Sequence, residues 1–126
     1  MEEGPHRMQC RGVRGAITVE SNTAEDMLEA TTELLQGLIA ANDIQPEQVV
    51  SAIFTTTPDL NAAFPARAAR DLGWTEAALL CMHEMAVPGA LPKVIRVLLH
   101  INTERAADQL VHLYLKEAQQ LRPDRA

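Results

Sequence analysis

Lysine is nearly missing from this chain. Its 11 basic residues are nine arginines plus only Lys93 and Lys116, against 17 acids, for a formal charge of −6. The acidic balance and the lack of any basic run argue against nonspecific nucleic-acid binding. Aromatics are just as scarce: Phe54, Phe64, Trp74 and Tyr114 are the full set. No apolar stretch approaches the roughly 18–20 residues that a membrane span needs. The opening MEEGPHRMQC has no apolar stretch of the secretory type, so a cytoplasmic protein with no membrane partner is expected. Cys10 and Cys81 lack CxxC spacing and suggest neither a disulfide framework nor a zinc site. His6, His83, His100 and His112 are scattered without ligand spacing, so no metal is expected. Walker, GxGxxG, HExxH and GxSxG motifs are all absent, and no cofactor is expected.

What is present fits one domain. The chain has 126 residues, 47% of them apolar, enough for one small core. Residues 1–10 read as a polar, disordered lead-in and 11–126 as the domain. Val, Ile and Thr enrichment predicts a strand over 13–19. Caps at Ser21, Asn22 and Thr23 precede a helix over 24–41, with Met27, Leu28, Leu34, Leu35, Leu38 and Ile39 at helical spacing. Pro46 opens a short turn, and strands follow over 49–56, 77–83 and 93–101. A short helix over 65–72 lies between the first two of these and stops at Gly73. A helical turn near 104–110 leads to HLYL and a final turn. The order β-α-β-α-β-β with a short tail predicts an α+β (α/β) fold, a mixed sheet packed with helices.

The arginines are unevenly placed. None occurs between Arg14 and Arg67, an interval holding eight acids and reading as a solvated acidic helix. Arg96 sits between Ile95 and Val97 in an apolar strand. Alternation puts Val94, Arg96, Leu98 and His100 on one face and Ile95, Val97, Leu99 and Ile101 on the other. Both faces are apolar around Arg96, which predicts a central strand and a charge that needs a partner. Two readings stay open: a core ion pair, with Glu84 as the candidate, or an anion site. Arg14, in the string RGVRGA, has flanking glycines that permit close approach of a backbone or a ligand. It cannot share a strand face with Arg11. Arg67 and Arg70 fall on one side of the short helix. Arg122 lies in the tail, LRPD.

Four strings, RGVRGAITVE (11–20), TPDLNAAFPARAARDLG (57–73), CMHEMAVPGALPKVIRVL (81–98) and HLYLKEAQQLRPD (112–124), together resemble the AroH-class chorismate mutases. These are the small monofunctional type, not the all-helical one, and the likeness runs from Arg11 to Asp124. It implies a trimeric pseudo-α/β-barrel with active sites at subunit interfaces. It also implies a Claisen rearrangement of chorismate to prephenate, in phenylalanine and tyrosine biosynthesis. A pericyclic step needs no nucleophile, base or metal. It needs a dianion held in a reactive conformer and stabilisation of charge gained by the breaking ether oxygen. Arginine suits both, because its fork binds carboxylates bidentately and stays charged.

Carried over by motif position, Arg96 donates to the ether oxygen and Glu84 accepts from the ring hydroxyl. Arg14 binds a carboxylate, supported by Tyr114. Phe64, Ala66, Leu79, Leu80 and Cys81 line the substrate, Arg67 and Arg70 approach from a neighbouring subunit, and Leu121 and Arg122 close the mouth. The chain departs from the family pattern at Leu80 (often Thr), His83 (often Gln), Val111 (often Arg) and Arg67 (Lys also found). The alternative to an enzyme is a non-catalytic trimeric module that binds a dicarboxylate metabolite.

Overall fold

A computed structural model describes residues 7–121. Five strands form one mixed sheet in the order β3-β2-β4-β1-β5. They are β1 (Gln9–Thr18), β2 (Val49–Thr56), β3 (Ala78–His83), β4 (Val94–Thr103) and β5 (Leu113–Leu115), with helices α1 (Ala24–Asn42) and α2 (Ala66–Asp71). β4 is antiparallel to both β1 and β2, while β5 runs parallel to β1 and β3 parallel to β2.

Helix α1 begins where its caps predict. The Thr23 side chain accepts the Asp26 backbone N–H at 3.1 Å, with Glu25 and Asp26 in the first turn, where acids favour the helix dipole. Its end is set by Asp43 in the left-handed conformation at φ 51°, whose N–H side closes the last turn. Met27, Leu34, Leu35 and Leu38 are fully buried against the sheet, each worth about 1.5–3 kcal/mol of transfer. Glu25, Glu29 and Glu33 face solvent, so the acidic segment is the outer face of this helix.

The helix seats closely because Gly15 has no side chain. A Cβ there would lie 2.8 Å from Leu38 Cδ1 and 3.1 Å from Leu34 Cδ1. The glycine permits approach, as its sequence context suggests, but what approaches is α1. The helix is also tied to the entry of β5. Buried Asn42 donates through Nδ2 to Val111 O at 3.0 Å and accepts the Val111 N–H through Oδ1 at 2.7 Å.

Several boundaries differ from expectation. β1 begins at Gln9 rather than near 13, so Gln9 and Cys10 belong to the sheet and not to a lead-in; residues 1–6 lie outside those described. Pairing with the far end of β4, Gln9 to Thr103, supplies what local propensity does not. β5 is an additional strand within HLYL, only three residues long, formed by pairing with β1. Arg96 is the main correction. β4 is central as predicted, and Ile95, Val97, Leu99 and Ile101 are buried against the helix side. The opposite face is open in this chain, and the Arg96 side chain is 43% exposed. Strand alternation was legible in the apolar pattern. Whether the second face is covered was not.

Candidate active site

The open face carries the unusual residues in adjacent rows. Register aligns Tyr114 (β5), Ala16 (β1), Arg96 (β4), Thr55 (β2) and Met82 (β3) across all five strands. The next row holds Arg14, Leu98, Ile53 and Leu80. Arg14 and Arg96 are thus diagonal neighbours on paired strands, about 7–8 Å apart at the backbone. Two flexible guanidinium groups at that spacing can converge on one small anion. Ala16 keeps the space between Tyr114 and Arg96 low. Tyr114 and Leu121 pack on a small cluster of Ala16, Val94 and Ala118, which lays the last described turn over this face.

Glu84 follows β3, its N–H bonded to Thr56 O at 2.7 Å. Its Oε1 accepts a hydrogen bond from the Thr55 hydroxyl. The same oxygen lies 3.5 Å from Arg96 Nε, close enough for an ion pair. The geometry falls short of a hydrogen bond, so that buried N–H stays without one. Both readings of Arg96 therefore hold in part: it is paired with Glu84, and it stands on an accessible face.

Arg14 is held through its backbone. Its N–H donates to His112 Nδ1 at 2.9 Å. An accepting Nδ1 is deprotonated, which places any ring hydrogen of the neutral imidazole on Nε2. Burial, and then the positive charge of Arg14, lower the His112 pKa from its ordinary 6.5.

The remaining predicted residues lie elsewhere. A cavity of about 360 Å³ beside edge strand β3 is lined by Phe64, Pro65, Cys81, Met82, His83 and the 60–63 segment. Phe64 is 74% exposed. Arg67 and Arg70 are exposed on α2, which packs against α1 and β3, on the helix side of the sheet. Ala66 is buried, so a ligand contact there would come from backbone. Alternation divides Leu79, Leu80 and Cys81. Leu79 and Cys81 pack toward the core and Leu80 turns to the open face. Arg122 lies outside the described residues. One chain thus holds two separate groups: Arg14, Glu84, Arg96 and Tyr114 on the open face, and Phe64, Cys81, Arg67 and Arg70 around the β3 edge. Thr55 and His112 are the positions that sequence reasoning missed. Thr55 had a faint signal, a polar residue in an apolar strand, and His112 had only its place at the head of the HLYL string.

A mixed sheet with one helix-covered face and a pair of arginines on the other defines a small α+β protein whose open face has the charge to attract a compact anion. Comparison with known proteins makes the class specific. The family model for type I chorismate mutase matches residues 10–125. Chorismate mutase AroH of Thermus thermophilus is 52% identical over 115 residues, covering 90% of this chain and 94% of that protein. Chorismate mutase AroH of Bacillus subtilis is 47% identical over 118 residues, covering 93% of each. The solved chorismate mutase from Clostridium thermocellum superposes with a TM-score of 0.86 at 45% identity, covering 87% of this chain and 98% of that one. The chain belongs to the type I chorismate mutase family, and its activity is the isomerisation of chorismate.

Proposed function

We propose that the rearrangement occurs where two copies of this chain meet, in a homotrimer working in the cytoplasm. One copy supplies Arg14, Glu84, Arg96 and Tyr114 from its open sheet face, with Leu121 and Arg122 from the tail. Its neighbour supplies Phe64, Ala66, Arg67, Arg70 and the Leu79–Cys81 segment. The observation that carries this reading is the division of the arginines. Arg14 and Arg96 share the open face, whereas Arg67 and Arg70 stand on a helix across the sheet. The exposed apolar residues Phe64, Leu80, Met82 and Met85 lie along or beside the same edge strand, where a second copy would cover them.

In the reaction the ether C–O bond of chorismate breaks as a new C–C bond forms, with no external proton or electron. Arg14 and an arginine of the neighbour hold the two carboxylates, which restricts the flexible dianion to its compact conformer. Arg96 donates to the ether oxygen as negative charge grows there. Glu84 accepts the ring hydroxyl, and Phe64 forms an apolar wall. The Cys81 thiol acts as wall and not as nucleophile, since the step has no covalent intermediate.

The test is the loss of chorismate absorbance with purified protein. Arg96→Ala should lower kcat/KM by at least the ~3–4 kcal/mol typical of a lost oxyanion donor, about 10²–10³-fold. A variant that turns over chorismate at the wild-type rate would remove Arg96 from the site. Binding without turnover by the wild type would mark a dicarboxylate-binding module instead.

A further inference from the structure

We propose that Thr55 is a positioning residue for this reaction: its hydroxyl holds one oxygen of Glu84, leaving the other for the substrate. The inference rests on the reading of Glu84 and Arg96 given above. Thr55 lies directly opposite Arg96 in the β2–β4 pairing, on the open face. Its Oγ1 donates to Glu84 Oε1, the same atom that faces Arg96 Nε at 3.5 Å. Among the described residues, Oε2 makes no hydrogen bond.

The backbone alone does not fix this carboxylate. Glu84 follows the end of β3, anchored by its N–H to Thr56 O at 2.7 Å. The terminal torsion of a glutamate is broad and roughly twofold, so a second anchor is needed to orient its oxygens. A hydroxyl has one proton to give, and Thr55 gives it to Oε1. That contact assigns the two oxygens different tasks. Oε1 is taken by Thr55 and by the flank of the Arg96 fork. Oε2 remains to accept the substrate hydroxyl. The hydroxyl also limits how closely carboxylate and guanidinium pair. The 3.5 Å approach is longer than a charge-assisted hydrogen bond. A fully bidentate Glu84–Arg96 pair would use the donors that the ether oxygen requires. Thr55 therefore acts on both partners without touching the substrate.

The test uses the full chain, chorismate as substrate, and the variants Thr55→Val and Thr55→Ser. Valine keeps the shape, suits a strand and lacks the hydroxyl. Thr55→Val should lower kcat/KM about tenfold to a hundredfold, the effect of losing a hydrogen bond to a charged group, and mostly in kcat. Thr55→Ser should stay within about twofold of wild type, since it keeps the donor. A cycle with Glu84→Ala, which removes the acceptor altogether, separates positioning from structure. If Thr55 acts through Glu84, Thr55→Val adds little in the Glu84→Ala background, whereas Tyr114→Phe keeps its full effect there. An equal loss from Thr55→Val in both backgrounds overturns the proposal. So does wild-type turnover by Thr55→Val when Glu84→Ala and Arg96→Ala are impaired. If those two variants also turn over normally, the site reading itself fails. Thermal melting and mass of each variant check the fold, and Thr55→Ala carries the same cycle if the valine variant does not assemble.

Discussion

Placing the two arginine pairs on opposite sides of one chain allows a quantitative complementation experiment. Arg96→Ala disables the open-face group and leaves the β3-edge group whole. Arg70→Ala does the reverse. In the proposed homotrimer, each variant alone would leave a defect in every shared site. In a mixed trimer, a site works where the open face of an Arg70→Ala chain meets the edge of an Arg96→Ala chain. In a closed ring of three, that junction occurs once whichever variant is in the majority. Mixed trimers should therefore recover about one third of the wild-type rate per trimer, against a background lower by two or more orders of magnitude. The assay is co-expression with two different tags, sequential capture on both, and chorismate consumption at saturating substrate. Recovery no greater than the sum of the two parents would refute the shared site, because defects confined within each chain cannot rescue one another. Recovery near the full rate would refute it as well.

Two further outcomes follow from the geometry. His112 accepts the Arg14 N–H only when Nδ1 is deprotonated, and its pKa is lowered in the fold. Its contribution is therefore complete above the ordinary value of 6.5 and fades as pH falls through the lowered folded value. The kcat/KM profile should fall on this acid limb, and His112→Asn, which keeps an acceptor that does not titrate there, should flatten it; an unchanged limb would show that another group sets it. Gly15→Ala forces a Cβ to within 2.8 Å of Leu38 Cδ1. It should destabilise the protein by about 1–3 kcal/mol in denaturant titration at fixed protein concentration. Stability equal to wild type would mean that α1 shifts without cost.

Much of this molecule was readable from its sequence because the relevant signals are local. The β2 bounds and the start of α1 follow from propensity and caps, and the β4 alternation from its side-chain period of two. The arginines stood out because charge in an apolar strand is unusual. What was hidden depends on pairing across long separations. The strand at Leu113–Leu115 exists because β1 accepts it, and three residues carry no period of their own. The extension of β1 back to Gln9 likewise comes from its partner at Thr103. The exposure of Arg96 escaped for a related reason: apolar neighbours on both faces look the same whether a face meets a helix, a tail or another chain. Thr55 and His112 gain meaning only once register places them against Arg96 and Arg14.

The bond pair between Asn42 and Val111 has a consequence for fidelity. A side-chain amide here imitates the paired donor and acceptor of a strand, offered from the end of a helix. Three residues of parallel pairing are a weak address. A slip of one position would turn Tyr114 inward and carry Leu113 and Leu115 to the open face. By capturing both polar groups of Val111, Asn42 counts the chain into place three residues before the tyrosine. The placing of Tyr114 on the open face, one wall of the proposed site, is thus set at the far end of α1, by a buried residue that bonds to the entry of β5.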